Sequence, residues 1–156
     1  MNTDTITEGR IITIDYRMPL ETMIATGKYD WTNDNITSKR FPITAGGIVQ
    51  FEPKVFHFDR YISSDDAVEA IKVDDRHNPW EPAKIEHLLA YGATYPEDQR
   101  QYPIIGLGSV AEVGGGRRVP YLDLRGARRS LDLRWLGRGW DGYYRFLAVP
   151  KLSSAT

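Results

Sequence analysis

The chain of 156 residues contains no cysteine. Disulfide bonds, thiolate metal sites and cysteine nucleophiles are therefore excluded. No apolar run reaches the ~18–20 residues needed to span a bilayer, and the polar, acidic opening MNTDTITEGR argues against a cleaved signal peptide. We expect a soluble protein, either cytoplasmic or associated with a phage particle.

Histidine is also scarce, since the chain contains only His57, His77 and His87. No two of them have the spacing of a helical metal site, and no HExxH motif occurs. The carboxylate pairs at 65–66 and 74–75 flank a predicted helix, where solvated charges and helix caps are common. We therefore predict no metal site and no cofactor.

Motifs that would indicate an enzyme are missing as well. The glycine-rich stretches GLGSV (106–110) and GGGRR (114–118) lack the GxxxxGK(S/T) form and lead into no helix, so they predict a strand with a close backbone approach and a hairpin turn. Ser109 lies outside any GxSxG elbow, and Glu86 and His87, being adjacent, face apart on a helix. A hydrolase built on one of these three residues is kept only as a third hypothesis.

The patterning along the chain predicts a single α+β domain, with helices before a C-terminal antiparallel meander. Pro19 suits a first helical position and Gly27 a helix end. The predicted elements are a strand at 10–17, a helix at 19–26, a loop at 28–47, two β pieces within 48–60 broken at Pro53, a helix capped by Ser63 or Ser64 with the stripe Ala67, Val68 and Ile71, a helix from near Pro82 to Gly92, and strands within 104–113, 118–125, 129–136 and 143–149.

The net charge of -1 conceals an asymmetry between two parts of the chain. Residues 1–113 hold 11 Lys and Arg against 18 Asp and Glu, whereas residues 114–156 hold 9 against 3. The resulting net charges are -7 for residues 1–113 and +6 for residues 114–156, and they are informative about the protein surface and not about the fold.

The stretch LDLRWLGRGWDGYYRFLAV (131–149) combines arginines, tryptophans, tyrosines and glycines. Period two places residues 131, 133 and 135 on one strand face and 132, 134 and 136 on the other. Rigid aromatics and arginines are enriched at binding sites; the alternative is a core strand with a basic, solvated opposite face. We predict a binding surface in which Trp135 and Trp140 are fixed scaffold, while Arg145, Phe146 and Val149 belong to the closing strand and core. The predicted ligand-binding residues are Asp132, Arg134, Leu136, Arg138, Trp140, Asp141, Tyr143 and Tyr144.

Residues 60–150 resemble the C-type lectin-like fold in the compact bacterial form that lacks the lectin cysteines. The resemblance rests on DDAVEAI for a first helix, PWEPAKIEHLL for a turn and second helix, IIGLGSV for a serine-bearing strand and YYRFLAV for the closing strand. It implies two helices packed on a mostly antiparallel C-terminal sheet, with residues 1–59 as an N-terminal strand-helix addition. The chain is also similar to a group of uncharacterised bacterial proteins that end in RFLAV followed by a basic residue.

Two departures limit what this resemblance implies. Calcium-binding lectins use Glu-Pro-Asn or Gln-Pro-Asp and Trp-Asn-Asp elements, whereas this chain has EPA at 81–83 and WDG at 140–142. The amide and second carboxylate ligands of a calcium site are therefore missing, and calcium-dependent sugar binding is not expected. The formylglycine-generating relatives need active-site cysteines, so their oxidase chemistry is excluded.

One branch of the fold that the chain resembles is the variable proteins of diversity-generating retroelements, in which adenine-directed mutagenesis rewrites a C-terminal segment displayed as a ligand-binding face. Asparagine codons mutated at their adenines cannot give Lys, Glu, Gln, Met or Trp. Residues 114–149 contain no Lys, Glu, Gln, Met or Asn, although 23 of the preceding 113 residues belong to these types. At that rate about seven would be expected in these 36 positions. A GC-rich gene or a strand-rich segment would deplete the same residues.

Two functional hypotheses follow from these observations. The first is a non-enzymatic ligand-binding protein whose C-terminal surface, diversified or not, binds a macromolecular partner, expected to be a protein. The second is a nucleic-acid-binding module in which the basic, aromatic C-terminal segment grips phosphates and stacks bases. The acidic first 113 residues would repel the same polyanion.

Overall fold

The computed structural model describes residues 2–3 and 9–151. This part of the chain forms a mixed α+β fold, as the patterning predicts. Its helices are α1 (Leu20–Thr26), α2 (Ser64–Val73) and α3 (Ile85–Thr94). Its strands are β1 (Asn2–Thr3), β2 (Ile12–Asp15), β3 (Trp31–Thr32), β4 (Ile48–Phe51), β5 (Lys54–His57), β6 (Trp80–Pro82), β7 (Ile104–Ile105), β8 (Ala111–Val113), β9 (Gly116–Arg125), β10 (Arg128–Trp135) and β11 (Arg145–Pro150).

The main sheet runs in the order β1-β5-β11-β7-β9-β10-β3, with β6 also paired to β11 and β8 to β9. Most pairs are antiparallel, but β11 with β7 and β10 with β3 are parallel. A separate small sheet pairs β2 with β4. The predicted meander is confirmed for β8, β9 and β10, whereas the closing strand β11 lies between β5 and β7 and not beside β10. The continuous apolar run FLAV of β11 suits this position, because a central strand is buried on both faces.

Residues 1–59 contribute strands to the main sheet. β5 is the antiparallel neighbour of β11, and β3 is the parallel neighbour of β10. The predicted break at Pro53 is confirmed, because β4 belongs to the small sheet and β5 to the main sheet. Helix α1 also forms as predicted and begins one residue after Pro19. The segment that the lectin-like resemblance treats as an addition therefore shares a sheet with the rest of the chain.

Side chains on the two faces of the main sheet form two apolar clusters. In β11, Leu147 belongs to the first cluster, and Phe146 and Ala148 belong to the second. The first cluster includes buried residues of α1, α3 and β2, and the second includes those of α2. We refer to these two sides of the sheet as the α1–α3 face and the α2 face.

Helix α2 matches its prediction closely. The Ser63 hydroxyl accepts the N–H of Asp66 at 3.1 Å and so caps the helix. Ala67 and Ile71 of the predicted stripe are fully buried, and Val68 packs at the margin of the second cluster. Local side-chain chemistry and a 3.6-residue period are sufficient to define this helix.

Helix α3 differs from its prediction at both ends. It begins at Ile85 rather than near Pro82, because Pro82 lies in β6 opposite Ala148. It also continues past Gly92, where a Cβ would lie 2.2 Å from the hydroxyl of Tyr29. Gly92 therefore allows close packing instead of ending the helix.

The stretch IIGLGSV is not one strand. β7 ends at Ile105, and the chain turns through residues 106–110 before β8. The N–H of Gly108 donates to the Ala83 carbonyl at 2.7 Å, and a Cβ at this glycine would lie 2.4 Å from the Pro82 carbonyl oxygen. The predicted close backbone approach is therefore confirmed, whereas the prediction of a continuous strand is wrong.

Arg129 of β10 is a buried charge that joins the helices to the sheet. Its side chain lies on the α1–α3 face and is 6% exposed. The guanidinium donates to the carbonyl oxygens of Gly27 at 2.7 Å and Gly92 at 2.9 Å, near the C-terminal ends of α1 and α3. Its Nε reaches the Pro96 carbonyl and the Gln99 side chain, each at 3.2 Å. Carbonyls near helix C-termini carry partial negative charge, so they replace water around the cation.

Replacing Arg129 with methionine should lower the free energy of unfolding by about 3 kcal/mol, because several buried acceptors lose their donor. The matched control is Arg128→Met at the exposed neighbouring position, where we expect a change under about 0.5 kcal/mol. Urea denaturation of both variants measures the difference. Equal losses in the two variants would contradict a structural role for the Arg129 guanidinium.

Candidate functional site

On the α2 face, the outer strands β9, β10 and β3 carry polar and aromatic side chains, which are half-buried or exposed except for the buried Tyr121. The antiparallel register sets Asp132 directly opposite Tyr121, which brings residues of both strands onto one patch. Two of the predicted ligand-binding residues, Asp132 and Arg134, lie here. We name this patch the polar face; it consists of Trp31, Tyr121, Asp123, Arg125, Asp132 and Arg134.

Asp132 is positioned by Asn33, which is distant in the sequence, and by Arg125 on the adjacent strand. Asn33 Nδ2 donates to its Oδ1 at 2.9 Å, and Arg125 Nη2 lies 3.5 Å from its Oδ2. The Arg125 guanidinium also lies over the ring of Trp31, 3.7 Å from the centroid. The strand pairing of β3 with β10 thus places a tryptophan, an arginine and a carboxylate side by side.

Arg134 is oriented by aromatic rings. Its guanidinium lies 5.0 Å from the ring centroid of Tyr144 and 5.7 Å from that of Trp140. Its Nε atom is buried and has no hydrogen-bond partner among the residues that the structure describes. Ring stacking, and not hydrogen bonding at Nε, therefore holds this side chain at the edge of the patch.

Two carboxylates lie close together on the polar face. Partial burial raises the pKa of Asp123, and the charge of Asp132 raises it further, although nearby arginines act in the opposite direction. Burial, followed by the charges of these two carboxylates, also raises the pKa of Tyr121 to about 12. The polar face therefore carries negative as well as positive charge.

The loop that follows β10, residues 136–144, forms a second part of the surface, which we name the tip loop. Trp140 in this loop is fully buried, so its predicted contact with a ligand is corrected, whereas its predicted scaffold role agrees with its position. Its Nε1 donates to Ser64 Oγ at 2.9 Å, and Ser64 Oγ donates to the Leu136 carbonyl at 2.5 Å. Backbone hydrogen bonds in both directions with Ile62 complete the anchor.

The other predicted contact residues of the tip loop reach solvent to different degrees. Arg138 and Asp141 are exposed, and Tyr143 is 60% exposed. The Asp141 carboxylate accepts the N–H of Tyr143 at 2.8 Å, which stiffens the backbone there. Tyr144 and Leu136 are half-buried against the second apolar cluster. The tip loop therefore exposes Arg138, Asp141 and Tyr143 to solvent, while the aromatic side chains beneath them are fixed against the core.

The sequence patterns miss some residues of this surface and misplace others. Trp31 lies in a segment predicted as loop, and Tyr61, which is 66% exposed, donates its hydroxyl to the Arg138 carbonyl at 3.0 Å from outside the C-terminal segment. Period two places Trp135 on the strand face of Leu131 and Leu133, which are buried, yet Trp135 is 38% exposed and stacked under Arg118 at 4.0 Å. No local signal identifies Trp31, because β3 is only two residues long.

The three residues of the hydrolase hypothesis do not form a nucleophile–base pair. Ser109 Oγ accepts the N–H of Ile85 at 2.7 Å, and His87 Nδ1 accepts the N–H of Lys84 at 2.9 Å. Both contacts cap the start of α3. Glu86 instead accepts a hydrogen bond from a tyrosine of the N-terminal segment.

No family model, curated protein or solved structure matches this chain. Within residues 2–3 and 9–151, no cluster of three or more histidine, aspartate or glutamate side chains has a geometry that would hold a metal ion. In the same part of the chain, no helix has the length and apolar character to cross a bilayer.

The raised pKa of Asp123 predicts how stability depends on pH. An acid whose pKa is higher in the folded state contributes stability below its unfolded pKa, and this contribution is lost as the pH rises through the folded value. Asp123→Asn should therefore gain stability relative to wild type as the pH rises from about 3 to 7. Urea denaturation across this range measures the gain, and exposed Asp34→Asn is the control. A constant difference across the range would contradict the proposed burial effect.

Proposed function

We propose that the protein is a non-enzymatic binding protein whose polar face and tip loop bind a macromolecular partner, namely another protein. The observation that carries this proposal is the exposure of large, stiff side chains on a well-anchored backbone, with Tyr143 at 60% and Tyr61 at 66%. Such side chains offer a large contact area for a small loss of conformational entropy, and they are frequent at binding hot spots. The buried hydrogen bonds of Trp140 keep the loop backbone in one conformation before a partner arrives.

The mixed charge of the polar face supports a protein partner over a nucleic acid. Asp123 and Asp132 lie among its arginines, and Arg125 is already 3.5 Å from an Asp132 oxygen. Arg129 of the same basic segment is buried against the helices and cannot contact a phosphate. Nucleic-acid affinity rises with the number of unopposed cations, whereas protein interfaces combine aromatic anchors with charges of both signs.

The C-type lectin-like assignment of residues 60–150 is part of the same proposal. Its support is the order of elements, in which α2 and α3 precede the Ser109 loop, the β8–β10 hairpins and the closing strand β11. Under this assignment the tip loop and the alternate positions of β10 are the diversified positions. The burial of Trp140 fits a scaffold residue that diversification leaves unchanged.

Diversification predicts a pattern of variation among close relatives. Positions 132, 134, 136, 138, 141, 143 and 144 should vary, while Trp140 and Ser64 should stay constant because their hydrogen bond anchors the loop. Sequencing the surrounding locus should find a reverse transcriptase and a near-identical template repeat whose mismatches fall at adenines. Absence of both, with residues 129–144 invariant, would remove diversification from the proposal.

A salt titration distinguishes the protein-partner proposal from the nucleic-acid alternative. Under the protein-partner proposal, fluorescence anisotropy with labelled single-stranded DNA and RNA of about 20 nucleotides should detect no binding at about 10 µM protein and low salt. The reason is that the two carboxylates of the polar face repel the phosphates. The double variant Asp123→Asn with Asp132→Asn serves as the control for that repulsion. Tight binding by the wild type that weakens steeply with added salt would favour the alternative and overturn the protein-partner proposal.

A further inference from the structure

A pocket of about 190 Å³ lies on the opposite side of the main sheet, between β2, α1 and α3. It opens where the small sheet meets the two helices. Its walls are mostly carbon, and the exposed Met18 stands at the surface while the buried Met23 lies inside. The apolar lining residues are Ile14, Met18, Met23, Leu89, Ala90 and Ala93.

Most polar groups that line the pocket already have partners within the fold. The hydroxyls of Thr26 and Thr94 donate to backbone carbonyls one helical turn earlier, at 2.9 and 2.8 Å. Thr13 accepts a hydrogen bond from the neighbouring strand at 3.2 Å. Asp15 is bound through both oxygens by Arg17, each at 2.9 Å. These side chains therefore contribute little free hydrogen-bonding capacity to the pocket.

Glu86 is the other charged residue of the lining. This residue lines the pocket, is 6% exposed and accepts a hydrogen bond from the Tyr16 hydroxyl at 3.0 Å through Oε2. Within residues 9–151, no lysine or arginine forms an ion pair with it. The adjacent His87 is neutral at pH 7, because burial lowers its pKa to about 4. The pocket thus has one nearly buried carboxylate that lacks a cationic partner, and such groups are normally paired.

We propose that this pocket binds a small organic amine, with the apolar body between the methionines and the alanines of α3 and the ammonium group against Glu86. An apolar cavity of about 150 Å³ holds one benzene ring, so the 190 Å³ here accommodates a ring with a short ammonium arm. The charge of -7 carried by residues 1–113 also favours the approach of a cation. This site shares no residue with the polar face or the tip loop.

The test uses benzylamine and benzyl alcohol, which have the same shape but differ in charge at pH 7. Isothermal titration calorimetry on the wild-type protein should give at least about tenfold tighter binding for benzylamine, equivalent to about 1.4 kcal/mol. Glu86→Gln keeps an acceptor for Tyr16 and should reduce the ratio of the two affinities to about one. Glu69→Gln, on the exposed side of α2, should leave the ratio unchanged.

Ala93→Leu should weaken the binding of both benzylamine and benzyl alcohol, because the larger side chain fills the pocket. Unchanged binding of benzylamine by this variant would place the amine elsewhere and overturn the proposal. Equal affinities of the wild type for the two compounds, or no binding of benzylamine at about 10 mM, would overturn it without any variant.

Discussion

The guanidinium of Arg129 connects three elements of the molecule, namely β10, α1 and α3. It projects from β10 and donates to the Gly27 and Gly92 carbonyls, near the ends of α1 and α3. Gln99 extends the same network, since its side-chain amide donates to the Asp123 and Ser130 carbonyls at 2.9 and 3.1 Å. A buried cation is stable here because oriented carbonyl dipoles surround it. These bonds and the apolar contacts of the first cluster together hold the outer sheet against the two helices.

The same strand uses its two faces for different purposes. Arg129 and the buried Leu131 point toward the helices, whereas Asp132 and Arg134 point to the α2 face and stay half-buried. Because strand side chains alternate, anchoring one face in the core fixes the direction of every residue on the other. The proposed binding surface gains its rigidity in this way, and the side chain of Arg134 is held further by its contact with the ring of Tyr144.

Features that depend on neighbours in the sequence were predictable, and features that depend on distant strands were not. The cap at Ser63, the break at Pro53 and the positive-φ hairpin turn at 114–115 all follow from local chemistry. The sequence did not show that Trp140 is too buried to contact a ligand, because its partner Ser64 lies 76 residues earlier, in a different element. Arg129 and Arg134 also look alike in the sequence. Only the structure shows that backbone carbonyls surround Arg129, which is structural, and that aromatic rings lie beside Arg134, which belongs to the surface.

The pocket at Glu86 and the proposed protein-binding surface lie on opposite faces of one sheet, so a small ligand in the pocket would not touch a macromolecular partner. They are nevertheless connected mechanically. Met23 and Ala93, on the two helices that line the pocket, lie within four residues of Gly27 and Gly92, whose carbonyls bind Arg129. Widening the space between α1 and α3 would lengthen those hydrogen bonds. Either β10 would then have to move with the helices, or the Arg129 guanidinium would lose the carbonyls that replace its water. Arg129 therefore contacts both helices that line the pocket, and it belongs to the strand that carries part of the polar face.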